Sequence, residues 1–305
     1  MKAIICTTYG PPEVLHIEDV PTPSPKDNEV LVAVKAAAVN SGDVRVRGLI
    51  VSGFLRLVMR VVLGFTKPRK PILGVTGSGV VEKVGKNVTR FKPGDEVFFS
   101  TGFGFGTYAQ YVAIRESGAI LHKPTNASFE EAAAIVFGGM TAIYFLEKAG
   151  IQSAKPKKVL IYGATGAVGS SAVSIAKYHN AHVTAVCGEE GVDMSTKLGS
   201  DVVLVYTRQP MNTITERYDI VFDAVGKLSP HDAKALLDTD GKHVTVGGLD
   251  TARETLDQMK QLKEMYEAGK LPAVIDKVYD MNDIVQAHRY VESQRKKGNV
   301  VIEIA

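Results

Sequence analysis

Hydrophobic positions follow two different rhythms along this chain, and the change falls near Pro124. Before it, apolar residues come in short runs broken by glycine and proline: Lys2 to Thr7, Glu29 to Val39, Gly79 to Val84, Glu96 to Phe99, Tyr108 to Ile114 and Ala119 to His122. Runs of this length predict strands, and Phe91-Lys92-Pro93-Gly94-Asp95 has the proline and glycine of a tight turn between two of them. The series predicts a small barrel-like β domain. After Pro124 the pattern turns helical: Phe129 to Lys148 is alanine-rich, with Ser128 placed to cap it, Glu130 and Glu131 in its first turn, and Gly150 suited to end it.

From Lys157 onward strands and helices alternate. Val159 to Tyr162, His182 to Cys187, Val202 to Tyr206, Tyr218 to Val225 and His243 to Gly247 read as strands, with helices after the first and over Asp193 to Leu198. Such alternation predicts a parallel sheet covered by helices on both faces. Five strands are visible where six complete the doubly wound order. Beyond Gly248 the pattern predicts a charged helix from Arg253 to Ala268, a strand over Val274 to Val278, a helix from Asn282 to Ser293 and a closing strand from Val300 to Ile304.

The turn between the first of these strands and its helix carries candidate chemistry. Gly163-Ala164-Thr165-Gly166-Ala167-Val168-Gly169 matches the dinucleotide fingerprint G-x-G-x-x-G with alanine at the first glycine and Gly163 one position earlier. In this context Gly166 lets the backbone approach a pyrophosphate, Gly169 lets helix pack on strand, and the helix N-terminal amides meet negative charge. An ordinary tight turn is the bland alternative.

Composition changes the picture little. Hydrophobic residues make up 45% and charged residues 23%, as in a globular protein, and a net charge of +3 gives no nucleic-acid footprint. The basic clusters Lys67-Pro68-Arg69-Lys70 and Arg295-Lys296-Lys297 read as solvated turns. Two cysteines, Cys6 and Cys187, are too few for a disulfide framework or a thiolate zinc site, and a reducing cytoplasm fits. The chain opens on a strand pattern rather than a signal peptide. Leu49 to Phe65 is the one long hydrophobic stretch; interrupted by Arg56 and Arg60, it reads as a helix or a lid over a pocket rather than a membrane span. The histidines are scattered, and His122 and His288 read as structural or solvated rather than as metal ligands.

Several longer segments, in order, resemble the medium-chain dehydrogenase/reductase superfamily, and within it the zinc-independent quinone oxidoreductases and related enone reductases. They include Ala38-Val39-Asn40-Ser41-Gly42-Asp43, Arg90 to Val97, Gly106-Thr107-Tyr108-Ala109-Gln110-Tyr111, Gly139-Met140-Thr141-Ala142, Tyr218 to Gly226, and Gly269-Lys270-Leu271 through Ala287 to Glu292. The resemblance implies an α/β fold: a Rossmann doubly wound parallel sheet, residues 125–265, inserted in a GroES-like β-barrel catalytic domain made of residues 1–124 and 266–305. Cofactor and substrate are expected to meet in a cleft. Zinc-dependent relatives carry a cysteine ligand where this chain has Asn40 and Gly-His-Glu where it has Gly74-Val75-Thr76, so no metal is expected.

The implied activity is hydride transfer from NADPH to a quinone or α,β-unsaturated carbonyl. Reduction of an enal, enoyl thioester or carbonyl, and a nucleotide-binding sensor or partner-binding role with little turnover, remain as alternatives. Asn40 is expected to contact substrate or nicotinamide. Asp43 reads as a catalytic residue or a helix cap, Tyr108 as a proton or hydrogen-bond donor or a core aromatic, and Phe103 and Phe105 as stacking groups or a cover. Around the cofactor the resemblance places Thr141, the fingerprint residues, Cys187, Gly188, Tyr206, Val225 and Gly247.

The strand ending at Cys187-Gly188 has no carboxylate, which leaves room for a 2′-phosphate and favours NADPH. Glu189 and Glu190 follow at once and oppose one, with Arg208 available to offset them, so NADH stays possible. Relatives also carry a longer segment after Gly248, including the sixth strand through which dimers commonly pair. A homodimer built otherwise, or a monomer, is expected here.

Overall fold

The computed structural model describes residues 1–50, 53–248 and 250–304, and among these the side chains of all but 53–56 and 58. Val51 and Ser52 of the hydrophobic stretch, and Leu249, lie outside the described residues. The chain separates into two compact units: Met1–Phe137 with Thr255–Lys260 and Ile275–Ala305, and Gly138–Glu254 with Gln261–Val274.

In the first unit, β1 (Lys2–Cys6) pairs antiparallel with β2 (Leu15–Asp19). Strand β3 (Glu29–Val39) is the backbone of the unit: its β-branched and alanine positions are almost all buried, so it is paired rather than exposed. Helix α1 (Ser41–Gly48) follows at once, then α2 (Gly53–Leu63), β4 (Thr76–Val84), β5 (Glu96–Ser100), β6 (Tyr111–Arg115) and β7 (Ile120–His122). Helix α3 (Phe129–Ala149) begins in this unit and carries the chain into the second.

There β8 (Lys158–Tyr162), α4 (Ala167–Tyr178), β9 (His182–Cys187), α5 (Val192–Lys197), β10 (Val202–Val205), β11 (Tyr218–Asp223), α6 (Pro230–Leu236), β12 (Leu237–Thr245) and α7 (Leu256–Glu267) follow in order. The chain returns to the first unit through β13 (Ile275–Asp280), α8 (Ile284–Glu292) and β14 (Asn299–Glu303). Strand β14 lies antiparallel on β3 and closes a sheet in the order β13-β14-β3-β4-β5-β7, with β6 also on β3. Ile4, Val32, Val34, Phe99, Tyr108 and Ile302 belong to its core.

The second unit is a five-stranded sheet in the order β10-β9-β8-β11-β12, every pair parallel. This is the first five strands of the doubly wound order, and the carboxyl ends of β8, β9, β11 and β12 lead into the fingerprint turn, Gly188, Val225 and Gly247. The sheet ends at β12, whose Asp238, Thr239, Asp240 and Lys242 are exposed, a polar margin of the kind that discourages strand addition.

Several expectations shift. Strand pairing begins at Tyr111, not Tyr108, because the Tyr108 amide bonds across to Leu73 and its carbonyl accepts from Ile4 instead. Helix α6 lacks a long apolar stripe and escapes a periodicity reading, yet Ser229 caps it by accepting from the Asp232 amide, with Pro230 opening it. Among the described helices, α3 rather than the 49–65 stretch is long and apolar enough to cross a membrane, and 67% of its apolar window is buried inside the protein.

Candidate active site

The fingerprint turn is built by close approaches that only glycine permits. Gly163, at φ +79°, ends β8, and a Cβ on it would lie 2.5 Å from Val225 Cγ1. Its amide and that of Ala164 both donate to the Val186 carbonyl, which ties the turn to β9. The glycine that the turn needs therefore stands one position before the motif's usual first glycine, and the buried Ala164 is tolerated. Gly169, in the first turn of α4, would place a Cβ 2.1 Å from the Gly163 carbonyl oxygen, so helix and strand pack closer than any side chain allows. Gly166 caps α4 in extended backbone, φ −77° and ψ 174°, and only the Gly163 carbonyl, at 3.8 Å, comes near a Cβ built there.

No side chain caps α4, so no side-chain acceptor takes up its first amides beyond Gly166. A diphosphate fits this cradle: the helix dipole and amides supply positive potential, and the missing Cβ leaves room for approach. Gly138 on α3 packs against the Ala167 carbonyl, 2.3 Å from a would-be Cβ, and places Thr141 one turn further along α3 in the same unit.

Asp223 is a positioning residue that sequence reasoning missed. It is buried at the end of β11, and its Oδ1 accepts from the amides of Val225 at 3.2 Å and Gly226 at 2.8 Å. Its Oδ2 accepts from the Leu228 amide at 3.0 Å and Thr245 Oγ1 at 3.1 Å, and Thr245 Oγ1 in turn accepts from the Gly247 amide. One carboxylate thus shapes the loops after both β11 and β12. Gly226 and Gly247 meet there with a would-be Cβ on either 2.7 Å from the other's Cα. The signal was the aspartate closing an apolar strand two residues before Val225.

After β9, Cys187 is buried and its thiol is pushed up by burial. The Tyr206 amide donates to the Cys187 carbonyl, and the Tyr206 hydroxyl lies 3.3 Å from a would-be Cβ on Gly188. Beside them Arg208 Nε donates to Glu189 Oε1 at 2.6 Å, so the offsetting of charge expected from the sequence takes the form of a direct ion pair.

In the first unit, Asn40, Asp43 and Tyr108 converge although 65 residues separate the last two. Asn40 ends β3 and caps α1; its amide donates to Asp43 Oδ2 at 2.9 Å, and its side-chain nitrogen to Thr76 Oγ1 at 3.3 Å. The Tyr108 hydroxyl donates to the same Asp43 Oδ2 at 3.1 Å, while Asp43 Oδ1 makes no hydrogen bond. All three residues are buried. Burial pushes Asp43 up to about 7, against the pull of the Asn40 amide, the Tyr108 hydroxyl and the Gly74 amide, and it pushes Tyr108 well above its ordinary value. Asp43 is therefore both the third-residue partner in the capping box of α1 and a carboxyl that holds a proton near neutrality.

Tyr108 sits in the core with its ring edge-on to His288 at 5.8 Å. His288 is buried, neither ring nitrogen has a hydrogen-bond partner, and burial beside the Arg47 guanidinium pushes it down to about 3. It is structural, not solvated. Arg47, also buried, donates to Glu292 Oε1 at 3.1 Å and joins α1 to α8, a role the sequence did not suggest. Phe105 is buried at φ +52° whereas Phe103 is 71% exposed, so only Phe103 offers a face to solvent. Gly64 and Phe65, just past α2, line a cavity of about 440 Å³ together with Cys6, Thr7, Lys67 and Arg69.

The donors do not fit zinc. Asn40 occupies the position of a cysteine ligand and is engaged with Thr76, and among the described residues no group of three His, Cys, Asp or Glu side chains converges.

Residues 26–125 match the family described as the alcohol dehydrogenase GroES-like domain, and residues 250–302 the one described as zinc-binding dehydrogenase. The 2-methylene-furan-3-one reductase of Solanum lycopersicum is 32% identical over 99% of this chain and 79% of its own length. A chloroplastic quinone oxidoreductase of Triphysaria versicolor is 30% identical over 99% and 98%. The chain belongs to the medium-chain dehydrogenase/reductase family. Among solved structures of this family, the quinone oxidoreductase from Coxiella burnetii superposes with a TM-score of 0.89 at 26% identity, covering 100% of this chain and 99% of that one. Its membership makes this protein an NAD(P)H-dependent oxidoreductase of medium-chain dehydrogenase/reductase type, with a GroES-like unit and a Rossmann unit.

Proposed function

We propose that the protein is an NADPH-dependent, zinc-free reductase that delivers hydride to a quinone or an α,β-unsaturated carbonyl. The observation that carries this reading is the open cradle at Gly166, walled by Gly163 and Gly169 and uncapped by any side chain. Relatives that reduce quinones and a furanone, matched over nearly the whole chain, support the substrate class. The bound nicotinamide supplies the hydride.

The chain's own residues bind and hold protons. Gly163 to Gly169 receive the diphosphate, Val225 and Gly247 are held in place by Asp223, and Cys187, Gly188 and Tyr206 form the far wall beside β9. Quinone and enone acceptors spread the added charge onto oxygen, so they need a hydrogen-bond donor and a proton rather than a Lewis acid. Asn40 supplies the amide next to the acceptor. Asp43, held near neutrality and sharing its oxygen with the Tyr108 hydroxyl, stores a proton behind it.

Equilibrium binding of NADPH and NADH, followed by steady-state oxidation of NADPH with a benzoquinone and with a short enone, tests the reading. Tight NADPH binding with acceptor-dependent oxidation is expected. Binding without turnover of any acceptor replaces the reductase with a nucleotide-binding protein, and failure to bind either nucleotide removes both.

A further inference from the structure

We propose that Glu189 and Arg208 form a selector that sets the ratio of NADPH to NADH binding by internal competition for one guanidinium. This rests on the reading that the second unit holds a dinucleotide, and it concerns the ribose end of that nucleotide. Strand β9 stops at Cys187, Gly188 lies close under the Tyr206 ring with the hydroxyl 3.3 Å from a would-be Cβ, and Glu189 is the first carboxylate beyond the strand. A carboxylate just past this strand accepts from ribose hydroxyls and repels a 2′-phosphate, whereas an arginine there takes the phosphate.

This chain holds both groups, and they are bound to each other. Arg208 Nε donates to Glu189 Oε1 at 2.6 Å and Nη2 donates to Oε2 at 2.5 Å, a two-point fork of the same geometry that a phosphate would satisfy. The Glu189 carboxylate therefore occupies the place on Arg208 that a 2′-phosphate needs.

The pair is built to open. Its side chains are 74% and 46% exposed, so it is weakly held and screened by salt. A nucleotide with a free 2′-hydroxyl meets the closed pair and its carboxylate. One with a 2′-phosphate draws Arg208 away and leaves Glu189 to solvent. Selectivity is then the small difference between two ion pairs, and a change at either residue tilts it.

Dissociation constants of NADPH, NADH, 2′,5′-ADP and 5′-AMP, measured by calorimetry for the wild type, Glu189→Gln and Arg208→Gln, test this directly. Glu189→Gln is expected to raise the preference for NADPH over NADH, and for 2′,5′-ADP over 5′-AMP, about tenfold, and Arg208→Gln to lower both about tenfold. Both side chains are on the surface, and unchanged melting temperatures establish that the variants fold. Preferences that stay within about twofold of wild type in both variants overturn the selector while leaving nucleotide binding intact. A wild type that binds none of the four ligands overturns the dinucleotide reading itself.

Discussion

A Cβ on Gly169 would lie 2.1 Å from the carbonyl oxygen of Gly163, whereas one on Gly166 would meet nothing nearer than that same oxygen at 3.8 Å. Two glycines of one motif thus serve different ends. Gly169→Ala forces α4 off β8 and is expected to destabilise the protein by about 1–3 kcal/mol. Gly166→Ala fits the fold, with stability within about 1 kcal/mol of wild type, but fills the cradle and weakens NADPH at least about tenfold. Thermal melts with and without nucleotide separate the two. Equal loss of stability in both variants removes the distinction.

Asp43 and His288 give the protein opposing responses to pH. Burial raises Asp43 from 3.8 to about 7, so the folded chain keeps a proton that the unfolded chain releases. Its stabilising contribution is whole below about pH 4 and lost as pH rises to about 7. His288 falls from 6.5 to about 3, so its contribution is whole above about pH 6.5 and lost as pH falls to about 3. Across about pH 4.5–6 the two slopes cancel. Relative to wild type, Asp43→Asn is expected to make unfolding free energy climb with pH in that window, and His288→Gln to make it decline. Urea titrations at a series of pH values read the slopes, and parallel curves for all three proteins would contradict the assignment.

Asp223 accepts from the Val225, Gly226 and Leu228 amides in the loop after β11 and from Thr245 Oγ1 at the end of β12. Replacing it with alanine leaves the amides of Val225, Gly226 and Leu228 without their acceptor. A loss of about 2–4 kcal/mol is expected, together with weaker binding of both NADPH and NADH by similar factors. Asp223→Asn keeps the shape but turns one acceptor into a donor facing other donors, and is expected to recover only part of the loss. A variant that melts normally and binds both nucleotides normally would show that the loops hold their form unaided.

Dialysis against a strong chelator is expected to leave nucleotide affinity and acceptor reduction unchanged, because Asn40 is committed to Thr76 and Val75 and Thr76 stand where relatives have metal-ligating side chains. Loss of turnover restored by added zinc would contradict this.

Residues whose roles depend on local backbone were legible from sequence. The strand before Gly163, the helix that follows Gly166 and the fifth strand before Gly247 all follow from period and turn chemistry, whereas the sequence pointed to Asp43 as a cap of α1 and the N-cap itself is Asn40. Boundaries slipped where long-range pairing decided them, as at Tyr108, whose amide and carbonyl are used by Leu73 and Ile4. Contacts between distant residues were not legible. Nothing local shows that Tyr108 reaches Asp43, that Arg47 is buried against Glu292, or that Asp223 gathers Thr245. The pairing of Arg208 with Glu189 was foreseen as compensation of charge, but its two-point geometry comes only from the way β9 and β10 lie side by side.

Strand β12 leaves the parallel sheet one strand short, and it does so with Asp238, Asp240 and Lys242 turned to water. Exposed charges along this border disfavour the addition of a strand from another molecule, and the border lies two strands away from β8 and the fingerprint turn that follows it.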